Sequence, residues 1–185
     1  MCPVVMRGIF ICSFIVAILL AAPVFAAENE SFQAQSTRIV SEIVREFAIP
    51  SDAHITLEFG SVRETSAWVR TYPFQGEIIT LDPEKLANMS DAQLTGLLAH
   101  ELSHIEVYER MSWPMLALYG LRYSLSDSFK RMVEREADML AIQHGFGDEL
   151  LAYREHRLAT GNAEDVVFIQ AYYLSPDEIR TVVAA

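Results

Sequence analysis

The sequence predicts an α+β domain, a small antiparallel or mixed sheet followed by packed helices, with one helix at the centre. Three observations carry that prediction. Short segments rich in β-branched and aromatic residues cluster between residues 54 and 82. From Ser90 onward, apolar residues recur at spacings of three and four. Pro, Gly and capping signals punctuate the segments, with no internal repeat or low-complexity tract. At 185 residues the chain suits one domain with a sizeable core rather than two.

Arg7 is the first charged side chain, and "GIFICSFIVAILLAAPVFAA" then runs from Gly8 to Ala27 without a charge. A basic start, an apolar stretch and a small-residue exit describe a secretory signal peptide. Val24 and Ala26 suit the positions three and one before a cleavage site, which places the cut after Ala26. About 20 apolar residues also suffice for an uncleaved membrane anchor; Pro23 and the alanine-rich exit favour cleavage. The expected organisation is a leader over 1–26 and a domain over 27–185, outside the cytoplasm in either case, periplasmic or secreted. Both cysteines, Cys2 and Cys12, fall in the leader, and "FIC" lacks the small residue that precedes a lipid-modified cysteine. The mature chain therefore has no disulfide and no thiolate nucleophile.

The formal charge is −11, with no local run of Lys and Arg. That excludes nucleic acid as a partner, because such binding needs a basic patch.

In chain order, Phe32, Ile39, Ile43, Val44 and Phe47 have helical spacing, and Pro50 closes that helix. "HITLEFG", "SAWVRTYPF" and "GEIITLDP" read as two or three strands. The last, Glu77 to Leu81, is expected at a sheet edge, where an extended peptide could pair with it. Ser90 and Gln93 form a capping box that starts a helix at about Asp91, running to about Arg110. "PMLALYGLRYSL" follows, with Arg122 its only charge. Core packing is the commoner explanation for Trp113, Leu116, Leu118, Tyr119 and Tyr123. A substrate wall, a lid or membrane-surface contact through residues 113–125 are the alternatives. "DSFKRMVEREADMLAIQH" is a third helix ended by Gly145, and "DELLAYREHRLA" a fourth. Ser175 and Pro176 open a short fifth, "SPDEIRTVV".

The chemistry lies in "LTGLLAHELSHIEVYER". At about 100° per residue, Leu94, Leu98, Glu101 and Ile105 share an arc of roughly 60°, with His100 and His104 on its flank. A carboxylate in that arc is costly to bury unless something compensates it. His100-Glu101-Leu102-Ser103-His104 is an HExxH pattern, and residues four apart on a helix can put both imidazoles on one ion. Glu101, beside the first histidine, reaches a water on that ion. The competing reading makes His100 and His104 core histidines and turns Glu101 to solvent.

Some 30 residues on, Glu134 and Asp138 in "VEREADMLAI" are four apart on a helix. One carboxylate can complete a three-ligand zinc site while the other orients a ligating histidine. Glu136 projects from the opposite side and is the poorer ligand. Ala137 and Ala141 on this helix, with Gly96, Ala99 and Ser103 on the motif helix, would let the two backbones approach. The alternative is a solvated face with Arg131 and Arg135 as partners.

"LLAHELSHIEVYER" followed by "EREADMLAIQHG" resembles the HtpX-like and prenyl-protein-protease-like zinc metallopeptidases, gluzincins whose third ligand is a glutamate. The similarity is best from Ile78 to Gly145. It implies a zincin-like fold with one zinc per chain held by His100, His104 and Glu134. Glu101 would be the catalytic base, and Asp138 would stand behind the ligands. Many relatives carry a His-Pro stretch, several membrane spans or helical repeats, all absent here, so the resemblance implies a near-minimal exported catalytic domain. Its Arg near the C-terminus finds only a weak counterpart in Arg180.

The expected activity is zinc-dependent endoproteolysis of extracytoplasmic proteins or peptides. A non-catalytic, zinc-stabilised binding module and a helical protein without metal are the alternatives. A second donor usually helps to stabilise the charge on the tetrahedral intermediate. His144, His156, Arg154, Tyr172 and Tyr173 are the candidates, and spacing does not choose among them.

Overall fold

The computed structural model describes residues 31–62, 66–72 and 76–185. The expected leader, with Cys2 and Cys12, lies outside the described residues.

Helix α1 (residues 31–43) buries Phe32, Ile39, Val40 and Ile43, and a single 3-10 turn, Val44–Glu46, continues it. Three strands follow: β1 (Ile55–Phe59), β2 (Ala67–Tyr72) and β3 (Gly76–Leu81). Their order is β1-β3-β2, with β1 parallel and β2 antiparallel to β3. The Glu77–Leu81 strand is thus central, not at an edge as its place in the chain suggested. The β2–β3 connection makes neighbours of consecutive strands, and β1 fills the other flank of β3. The edge nearest the long helices is β2.

Asp82 accepts from the backbone N–H of Glu84 and of Val62, at 3.1 and 3.0 Å, capping a one-turn helix α2 (Pro83–Leu86). An Asp-Pro pair at a helix start is its sequence signal. Helix α3 (Asp91–Glu109) opens with the expected Ser90–Gln93 capping box. Gln35 and Arg38 of α1 each reach the Asp91 carboxylate at its first turn, at 2.6 Å. Between Leu94 and Glu106 every residue of α3 except Thr95 is buried. It is therefore a central helix enclosed by β2, α5 and α6 rather than one with a solvated face.

Helix α4 (Trp113–Leu125) has no buried residue and exposes Trp113, Met115, Leu118, Leu121 and Leu125. Core packing does not account for it. Only one flank is engaged, where Tyr119 meets Tyr108 and Phe129, and Tyr123 meets α5. Helix α5 (Asp127–Gln143) ends before Gly145, whose φ of +92° supplies the expected left-handed turn. Helices α6 (Gly147–Thr160), α7 (Ala163–Tyr172) and α8 (Pro176–Val183) complete the domain. Helix α7 is not among the elements expected from the sequence, although Asn162 and Asp165 form its capping box. Gly96 serves a different partner from the one expected. A Cβ there would lie 2.1 Å from the Glu149 carbonyl oxygen, so its bareness admits the backbone of α6.

The result is an α+β domain with a small mixed sheet and packed helices. Ile79 and Leu81 of β3 and Ala67 and Val69 of β2 join Leu94, Leu98, Leu102, Ile105 and Leu150 in one core. Among the described residues no helix is long and apolar enough to cross a membrane.

Candidate metal centre

Three donor atoms from two helices converge. His100 and His104, one turn apart on α3, put their Nε2 atoms 3.2 Å from each other. Glu134 Oε2, from α5, lies 3.2 Å from His100 Nε2 and 3.5 Å from His104 Nε2. All three residues are buried. Tetrahedral zinc with bonds of about 2.0–2.2 Å needs its donors roughly 3.3–3.5 Å apart, so the observed triangle has the right size. Two neutral nitrogens and one carboxylate oxygen also suit zinc chemically.

The partners behind the donors fix their orientation. Asp138 is fully buried, and its Oδ1 accepts from His100 Nδ1–H at 2.9 Å. A carboxylate only accepts, so Nδ1 carries a proton, and once His100 is neutral its Nε2 lone pair faces His104 and Glu134. Asp138 also accepts from Arg154 Nη2 at 2.8 and 2.9 Å and from the Leu174 N–H at 2.8 Å. Tyr123 donates to Oε1 of Glu134, the oxygen turned away from the imidazoles. The His104 ring stacks on Tyr108 at 5.9 Å, and the His100 ring lies 5.5 Å from Tyr173.

The protonation pattern shows that the centre wants positive charge. Burial alone would keep His100 neutral, but hydrogen bonds to Asp138 and Glu134 outweigh it and push the imidazole up to about 10. Burial favours a neutral Glu134 as well, yet the bonds from His100 and His104 hold its carboxyl well below the ordinary range. Burial raises Glu101, with the two imidazoles opposing it. A dication among the same donors would answer these carboxylates in place of that proton.

Glu101 is 8 % exposed, and no group among the described residues hydrogen-bonds its carboxylate. It lines a pocket with His100, Ser66 at the start of β2, Arg154 and Arg157 of α6, and Tyr173. Along that wall, Ser66 accepts from Asp82 N–H at 3.0 Å. The antiparallel alternation then turns the backbone groups of Val69 and Thr71 away from β3, toward the open edge.

His100, Glu101, His104, Glu134 and Asp138 are thus brought together. Glu136 is exposed, as its side of the helix required. Arg131 and Arg135 are engaged elsewhere, with Ala171 O and with Glu178 and Tyr173 O, so no solvated charge ladder exists on that face of α5. Of the charge-stabilising candidates, only Arg154 and Tyr173 line the pocket. His144 is 2.7 Å from the buried Glu106 and packs on Phe47. Tyr172 donates to Asp127 at 2.9 Å, and the half-buried His156 offers its carbonyl to Thr160. Arg180 pairs with Asp177 and Glu155 at the surface. Arg154 as the counter-charge of Asp138 and Tyr123 as the partner of Glu134 are roles that sequence reasoning misses. Tyr123 carried a faint signal, an aromatic hydroxyl on an apolar helix that follows the motif.

Comparison with protein-family models, curated proteins and solved structures finds no match to this chain.

Proposed function

We propose that this chain is a zinc-dependent endopeptidase with a zincin-like fold, acting on exported proteins or peptides and related to the HtpX-like metallopeptidases. The observation that carries the reading is the triangle of His100 Nε2, His104 Nε2 and Glu134 Oε2 with an unpartnered Glu101 beside it. Zinc in that triangle supplies a Lewis acid and an ionisable water at neutral pH. Glu101 accepts the proton of the attacking water and delivers it to the leaving amine. Its raised pKa suits a group that must both take and give a proton. Asp138 keeps His100 in the ligating tautomer, and Arg154 holds the Asp138 carboxylate in place. Tyr173, at the pocket wall, is the hydroxyl best placed to face developing negative charge. An extended substrate adds to the open edge of β2, which runs alongside α3.

The outer face of α4 we assign to a membrane surface. From Arg110 to Arg131 the chain has four basic residues, Arg110, Arg122, Lys130 and Arg131, against one acid, Asp127, in a protein of charge −11. An apolar stripe flanked by cations fits an anionic lipid surface better than another acidic protein.

The test is zinc content together with hydrolysis. Zinc-replete protein should hold about one zinc per chain and cleave unfolded protein in a chelator-sensitive manner. Glu101→Gln should keep the metal and lose cleavage. Wild type that holds zinc but cleaves nothing, with ligand variants that lose melting temperature alike, would mark a zinc-stapled binding module instead.

A further inference from the structure

The pocket beside Glu101 carries two cations that the centre does not use up. Arg154 is 2 % exposed; one of its nitrogens serves Asp138, but its buried Nε–H has no acceptor. Arg157, one turn along α6 and partly buried, donates to Ser66 Oγ at 3.1 Å and to Tyr153 OH at 3.0 Å. Both acceptors are neutral; Asp165 acts on it from a distance, but among the described residues no carboxylate lies within ion-pair distance. A guanidinium withdrawn from water costs free energy unless an anion answers it. In a chain with 25 acidic and 14 basic residues, such an arginine is not short of carboxylates to choose from. A carboxylate in direct contact is left for a ligand to supply.

We infer that this pocket binds a carboxylate on the substrate residue that follows the cleaved bond, either an acidic side chain or the free C-terminus. The placement rests on the peptidase reading above: Glu101 hands its proton to the leaving amine, so the residue bearing that amine lies beside Glu101, in the pocket that Glu101 lines. Arg157 provides the charge, and the fork geometry of guanidinium suits a planar carboxylate. The rings of Tyr153 and Tyr173 line the same pocket and lower the local dielectric, which strengthens the pairing. Arg157 is a specificity residue and takes no part in the proton transfers.

Binding and cleavage should be measured side by side on the full chain. Zinc-loaded Glu101→Gln protein is titrated calorimetrically with blocked peptides that differ only in one central residue, Glu, Gln or Lys. Acid-ended peptides are compared with their amides in the same way. Wild-type protein digests the same peptides, read by mass spectrometry. The carboxylate member of a pair should bind and be cleaved on the order of 30- to 100-fold better. Arg157→Gln should bring that ratio to within about threefold, while Arg157→Lys, which keeps the charge, retains part of it and guards against a folding defect. Preference for internal Glu assigns the side chain as the source, and preference for the acid end assigns the C-terminus. Hydrolysis without any carboxylate preference would overturn this inference and leave the peptidase reading standing. Carboxylate binding governed by Arg157, without hydrolysis by wild type, would do the reverse.

Discussion

Asp138 accepts a hydrogen bond from His100 Nδ1 at 2.9 Å and, through the same oxygen, one from Arg154 Nη2 at 2.8 Å. The two contacts have different consequences. The first fixes which ring nitrogen of His100 is free to ligate; the second gives the buried carboxylate a counter-charge. Asp138→Asn keeps the volume but removes the charge. Zinc affinity should fall about 10- to 100-fold, measured by competition with a chromophoric chelator. Arg154 is then a buried cation without its carboxylate, so melting temperature should fall even in metal-free protein. Unchanged affinity would show that Asp138 serves the fold alone.

Glu77 offers a test away from the candidate metal centre. It faces the core side of β3 and is held there by the Thr71 hydroxyl, 2.5 Å from Oε2. Burial raises its carboxyl to about 7, with Glu109 adding to the shift and Thr71 opposing it. A carboxyl with a raised folded pKa binds its proton more tightly in the folded state. The stability it contributes is therefore full below the unfolded value, near 4.5, and is lost as pH rises toward 7. Urea titrations from pH 5 to pH 8 should show that loss. Glu77→Gln, whose amide oxygen still accepts from Thr71, should flatten the profile and raise stability at pH 8 by roughly 1–3 kcal/mol. An unaltered slope would assign the pH dependence to other groups.

The contrast between these sites explains what was legible in the sequence. His100, Glu101 and His104 could be found because a helix repeats every 3.6 residues, so a spacing of four is already a geometry. Glu134 and Asp138 could be found as a pair on one face, and the resemblance told them apart. Arg154 and Tyr123 could not, because their roles depend on how α6 and α4 cross the central helix, and no local spacing encodes a crossing. The same limit misplaced β3: chain order is not sheet order, and the partner of a strand is a long-range fact. The buried α3 shows the point from the other side. Its polar residues lie beside its apolar arc, and two of the buried groups near that arc, His100 and His104, form the candidate metal centre with Glu134.

Gly96 is where the α3–α6 crossing can be tested. Gly96→Ala would drive a methyl to 2.1 Å from the Glu149 carbonyl oxygen and 2.7 Å from Leu150 N, backbone atoms that have no flexible end to yield. The variant should lose roughly 3 kcal/mol or more, seen in urea unfolding. It should also bind zinc less well, because the same crossing brings Arg154 to Asp138. Gly120 is the control. An added Cβ there meets nothing within 4 Å, so Gly120→Ala in α4 should gain about 0.5–1 kcal/mol. Equal effects at the two sites would mean that the helices are not packed as closely as described.

Helix α4 yields the last prediction. Leu118, Leu121 and Leu125, at 65, 56 and 77 % exposure, form one stripe within roughly 60° of arc, and Tyr119 and Tyr123 hold the opposite flank to α3 and α5. The stripe is therefore displayed by a helix whose position is fixed by other residues. Leu118→Gln with Leu121→Gln should leave the fold and zinc content intact while removing apolar area that a bilayer would bury. The full domain should sediment with vesicles of phosphatidylglycerol and phosphatidylethanolamine, and the double variant at least about tenfold less. Binding to zwitterionic phosphatidylcholine vesicles should be weaker, and added salt should lower binding to the anionic ones, because Arg110, Arg122, Lys130 and Arg131 are close in sequence to the stripe. Cosedimentation that ignores both leucines, or that is equal on the two lipids, would remove the membrane from the account of α4.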